Sequence, residues 1–114
     1  MVGGNGPNVT WRLAAKHADE LNVDGMTPDE VLEALPVIAS RCEEIGRDPA
    51  TLPVSVHVWG GHVKDAGQAR VDLVARYADT GVSRIMPLLR ASADTDEALE
   101  AFAEDCRIAG VELV

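Results

Sequence analysis

The stretch Val2-Gly3-Gly4-Asn5-Gly6-Pro7-Asn8-Val9-Thr10-Trp11-Arg12-Leu13-Ala14-Ala15-Lys16-His17-Ala18-Asp19 sets three glycines within four residues directly before a segment patterned as a helix. Glycine lets the backbone approach a ligand closely and adopt positive φ, and the free N–H groups of a helix's first turn attract anions. This makes the loop a candidate phosphate cradle. In an α/β enzyme such a loop follows a strand, and here only Met1 and Val2 precede it. The reading is therefore of a chain that opens partway through a larger unit.

Working outward, the spacing predicts a first helix over about 8–19, with Pro7 at its entry and Leu13, Ala14 and Ala18 as its apolar stripe. Leu21-Asn22-Val23 is short enough to be only a marginal strand. Thr27-Pro28-Asp29-Glu30 has the form of a capping box with proline at the first helical position. Behind it Val31, Leu32, Leu35, Ile38, Ala39, Cys42 and Ile45 recur at helical spacing, and Pro36 predicts a kink. Gly46 and Asp48-Pro49 stop that helix.

Leu52 to Trp59 is a valine-rich strand closed by Gly60-Gly61. A third helix is expected over about 66–80, with Asp65 as its cap and Val71, Val74, Tyr77 and Ala78 inward. Val82 to Leu89 reads as a strand buried on both faces. A fourth helix starts near Asp94 or Thr95, carries Ala98, Leu99, Phe102, Ala103 and Cys106 inward, and ends at Gly110. Alternation of this kind implies β-α units and a parallel sheet, here of two to three strands with four helices. Such a small parallel sheet lacks cover for both faces.

At 114 residues the chain is a single domain or a piece of one. Its net charge of −9 argues against nucleic acid or an anionic membrane as partner. No run of about 18 apolar residues exists to span a bilayer. With no export signal at the N-terminus, the expected location is cytoplasmic.

Cys42 and Cys106 fall at apolar helical positions and read as buried free thiols. His17, His57 and His62 match no zinc spacing, so no metal site is expected. His17 reads as a surface residue, His57 alternates with Ser55 and so faces a barrel lumen if there is one, and His62 reads as solvated. Trp59, at the end of its strand, is better placed than Trp11 to flank a planar cofactor, although packing beneath Gly60-Gly61 is the structural reading.

The ordered set Gly3 to Pro7, Arg12 to Asp19, Thr27 to Glu30 and Cys42 to Pro49, with Tyr77-Ala78-Asp79-Thr80-Gly81-Val82, resembles the C-terminal part of the luciferase-like monooxygenase family. That family includes bacterial luciferase and the oxidoreductases that use coenzyme F-420. The resemblance implies about the last third of a (β/α)8 TIM barrel, with hydride transfer or oxygen insertion on a flavin or deazaflavin at the barrel's C-terminal face. Carried over by position, it places the phosphate of FMN or F-420 on Gly3, Gly4, Asn5, Gly6 and Thr10. It assigns no catalytic residue, because the rest of the pocket lies in the part of the barrel that this chain does not match.

The expectation is thus a truncated oxidoreductase domain. The competing reading is a non-catalytic α/β module that self-associates as a homo-oligomer or completes a partner's barrel, covering its exposed sheet edges. A remnant or a mis-assigned start is a third reading.

Overall fold

Val2 and Gly3 form a strand, although two residues are too few to show any periodicity. In the computed structural model, which describes residues 1–113, Val2–Gly3 (β1) is followed by Thr10–His17 (α1), Leu21–Asp24 (β2), Pro28–Glu43 (α2), Val54–Val58 (β3), Gln68–Thr80 (α3), Arg84–Pro87 (β4) and Glu97–Ala109 (α4). Short 3-10 turns at Pro49–Thr51, Gly61–Lys64 and Arg90–Ala93 complete it. The chain is α/β, and its sheet has four parallel strands in the order β1-β2-β3-β4, more than the two to three expected.

An order that never reverses places the crossover helices on one face of the sheet. Accordingly α1 packs on α2, α2 on α3 and α3 on α4. The register shows what each face carries. Val23, Val56 and Ile85 lie side by side and belong to the helix-facing core, with Leu21, Val54 and Val58. The alternate residues Asn22, Ser55 and Arg84, then Asp24, His57 and Met86, line the other face. The radius of gyration, 14.9 Å, exceeds the roughly 13 Å of a compact domain this long.

The capping box forms as expected. The Glu30 amide donates to Thr27 Oγ1 at 3.2 Å and the Thr27 amide donates to Glu30 Oε2 at 2.9 Å. Thr27→Ala is expected to cost about 1 kcal/mol in urea denaturation, whereas an unchanged midpoint would leave the box without energetic weight.

The residues of the Cys42–Pro49 segment have structural work. Cys42 is fully buried, and the Arg47 guanidinium closes the C-terminus of α1 by donating to the carbonyls of Ala15 at 3.0 Å and Ala18 at 2.9 Å. Asp48 caps the turn that Pro49 opens, accepting from the Ala50 amide at 3.0 Å.

Several expectations need correction. In α1 the inward residues are Trp11, Ala14 and Ala15 rather than Leu13, which is exposed because the helix turns its tryptophan to the sheet. Asp65 does not cap α3. Gly67 holds the cap position, and its amide donates to Asp105 of α4 at 3.2 Å. The apolar run 82–89 is not buried on both faces, because β4 is the edge of the sheet and Arg84 is exposed. Leu99 is also exposed, leaving Phe102, Asp105 and Cys106 as the buried residues of α4, and Ala78, expected inward on α3, is exposed too.

Candidate functional site

The glycine loop joins the C-terminal end of β1 to α1 and is fixed on several sides. The Gly4 amide donates to Asn22 O at 2.9 Å, and the Trp11 indole N–H donates to Gly4 O at 2.9 Å. The Asn5 side chain grips the backbone of Asp24 twice: its Nδ2 donates to Asp24 O and its Oδ1 accepts from the Asp24 amide, both at 2.8 Å. Arg41 Nε donates to Pro7 O at 2.8 Å.

Glycine is required at position 4, where φ is +135° and an added Cβ would lie 3.0 Å from Thr10 Cγ2. At position 6 the space is also tight, since an added Cβ would lie 3.1 Å from Thr10 Oγ1. Thr10 therefore fills the space behind the loop. Gly3, Gly4, Asn5, Gly6 and Thr10 form one unit, with the Asn5 side chain engaged in holding the loop to β2.

The loop keeps a set of unsatisfied donors. Among the described residues, the amides of Asn5, Gly6, Asn8, Val9 and Thr10 donate no hydrogen bond, and no side chain caps α1. An uncapped helix start preceded by free amides is a chemically competent anion cradle.

Beside it, at the C-terminal ends of β2 and β3, stands a cluster that only the fold assembles. His57 Nδ1 lies 3.1 Å from Asp24 Oδ1, and the Trp59 indole N–H donates to the same oxygen at 3.1 Å. Asp24 thus orients the imidazole and leaves Nε2 without a partner among the described residues, the arrangement of a proton acceptor held in place by a carboxylate. His57 lies on the face opposite the helices, as its alternation with Ser55 implied. Trp59 does not pack beneath Gly60-Gly61. It is 54% exposed, because its N–H turns back to Asp24.

Further down the same face Asn22 Nδ2 donates to Ser55 Oγ at 2.9 Å. Arg84 spans β3 to hold Glu20 in a fork, with Nε donating to Oε1 at 3.0 Å and Nη2 to Oε2 at 2.8 Å. The Arg84 guanidinium, then the Ser55 hydroxyl, hold the Glu20 carboxyl below its usual range despite some desolvation. The face is mainly polar, with His57 Nε2 left open among the described residues.

Elsewhere the expectations divide. Trp11 is 4% exposed and belongs to the core, where no cofactor ring could stack on it. Cys42 and Cys106 are buried free thiols, and burial pushes both above the ordinary thiol range, so neither is a ready nucleophile. His17 is exposed on α1. The His62 side chain lies outside the described residues. Among the described residues no group of three His, Cys, Asp or Glu could hold a metal, and no helix is long and apolar enough to cross a membrane.

The sequence reading missed Asp24, whose partners are 33 and 35 positions away. The one available signal was its place at the end of a marginal strand, directly before Gly25. No protein-family model matches the chain, and no curated protein matches it.

Proposed function

We propose that this chain is an arc of a (β/α)8 barrel of the luciferase-like monooxygenase type. In this reading its Gly3–Gly6 loop and the start of α1 hold the phosphate of FMN or coenzyme F-420. The observation that carries it is the braced loop with five unsatisfied amides at the C-terminal end of a parallel strand, which is where barrels bind their ligands. The unreversed strand order, the single layer of helices and the polar far face support the barrel arc.

The residues present fit the group. Free amides and the positive end of α1 take the phosphate oxygens without a lysine, and Thr10 keeps the loop open behind them. When bound, a flavin or deazaflavin supplies hydride chemistry. The chain's own contribution beyond binding is His57, which Asp24 positions to hold or release a proton at Nε2 on the same rim.

Fluorescence titration of the folded protein with F-420 and with FMN tests this. One of the two binds with a dissociation constant of tens of micromolar or lower, and Gly4→Asp weakens it at least tenfold, because a side chain at a φ of +135° and 3.0 Å from Thr10 Cγ2 distorts the loop that presents the free amides. Absence of binding by both ends the cofactor reading, and an unchanged affinity in Gly4→Asp removes the loop from the site.

The uncovered sheet face favours a second reading, a non-catalytic module whose edges β1 and β4 pair with another copy or with a partner barrel. Size-exclusion chromatography with light scattering separates the two. Self-association requires an assembly larger than one chain, and a stable monomer excludes it, leaving only pairing with a partner barrel.

A further inference from the structure

A cavity of about 560 Å³ opens beyond Trp59, between the turns that follow β3 and β4 and the helices α3 and α4. Its wall is largely apolar, with Leu88, Leu89 and Ala98, but it also gathers Lys64, Arg70 and Arg90 against the single acid Asp65. In a chain of net charge −9 with 10 basic side chains, three of them around one cavity is a concentration of positive charge.

Arg70 is the unusual member. It is 2% exposed, and its guanidinium lies over the Phe102 ring at 5.2 Å. Nε donates to Asp105 Oδ2 at 2.6 Å and Nη1 donates to Val63 O at 3.2 Å, both partners from the protein's own framework. Nη2 is buried and has no partner among the described residues. A buried donor atom left unsatisfied is costly, and a ligand oxygen would satisfy it.

We propose that this cavity binds an organic oxyanion, a phosphate monoester or carboxylate on a flat apolar body. Arg70 Nη2 meets the oxyanion, Lys64 and Arg90 at the mouth add charge, and the Trp59 ring flanks the body. A guanidinium held rigid by Asp105 and Phe102 presents its remaining N–H groups in fixed directions, which suits an oxygen acceptor. The mixed lining selects against both a bare inorganic ion and a neutral hydrocarbon. The proposal is independent of the glycine-loop reading, since none of Gly3, Gly4, Asn5, Gly6 and Thr10 lines this cavity, although Trp59 also touches Asp24 of the neighbouring cluster.

Phenyl phosphate, benzoate and phenol serve as probes, followed by Trp59 fluorescence and by the 15N resonance of the Arg70 guanidinium. The buried Trp11 alone remains in Trp59→Phe as the control. Phenyl phosphate or benzoate gives a saturable change, the ratio of the two affinities identifies the preferred head group, and phenol gives none. The Arg70 resonance shifts on saturation. The doubly substituted Lys64→Gln, Arg90→Gln protein, altered only at exposed positions, binds at least tenfold more weakly with an unchanged far-UV spectrum. Gly4→Asp leaves the affinity as it is. The proposal is overturned if phenol matches the anions, if the double variant binds like the parent, if the Arg70 resonance stays still, or if neither anion binds.

Discussion

Asp105→Ala is expected to destabilise the protein by about 3–5 kcal/mol, the range seen when one member of a buried ion pair is removed. Arg70 is 2% exposed at its side chain and Asp105 10%, so the remaining guanidinium could not recover its hydration without opening the α3–α4 contact. The same carboxylate oxygen accepts from the Gly67 amide at 3.2 Å, so the start of α3 loses its anion as well. Urea denaturation at neutral pH measures the effect. A loss below about 1 kcal/mol would show that the pair is effectively solvated. The double replacement Arg70→Met, Asp105→Leu is expected to recover most of the loss, because apolar groups of similar volume carry no stranded charge.

Trp11→Ala is expected to cost a similar amount, about 3–5 kcal/mol for truncating a large buried aromatic. Its effect reaches the candidate site, since the indole N–H donates to Gly4 O and the ring seats α1 against the sheet. Trp11→Phe separates the two roles. It keeps most of the apolar volume and removes only the donor, for an expected loss of about 1 kcal/mol. It also allows faster hydrogen exchange of the amides from Gly4 to Thr10. Equal stability losses in the two variants would mean that the hydrogen bond, rather than the packing, anchors the loop.

These two residues show how unevenly the chain discloses itself. Trp11 stands one position into a helix that its own sequence announces, although the expected inward side chain was Leu13. Helical phase over eight residues is poorly determined when alanines supply most of the stripe. Arg70 offers no such hint. Charged residues beside Val71 and Val74 ordinarily face solvent, and its partner Asp105 is 35 positions away in another helix. Local pattern carries no information about a pairing that exists only when α3 and α4 are side by side.

The candidate site divides along the same line. The glycine loop was readable because its chemistry is contiguous, so Gly3, Gly4, Gly6 and Thr10 meet through chain connectivity alone. The Asp24–His57–Trp59 cluster was only half readable. Period-two alternation put His57 on the face of Ser55, while Asp24 came beside it through the parallel register of β2 on β3. The continuous apolar run at 82–89 misled because hydrophobicity reports the need for cover rather than its presence, and β4 lies at an edge.

The amino-acid order alone determined the alternation of strands and helices, the parallel character of the sheet, the capped start of α2 and the glycine-rich turn before α1, all matters of neighbouring residues. The tertiary structure alone decided the strand order, the polar uncovered face, the burial of Arg70 against Asp105 and the cavity beside it. Those features depend on separations of tens of residues closing to hydrogen-bond distance, and only packing of the sheet and helices chooses which distant side chains meet.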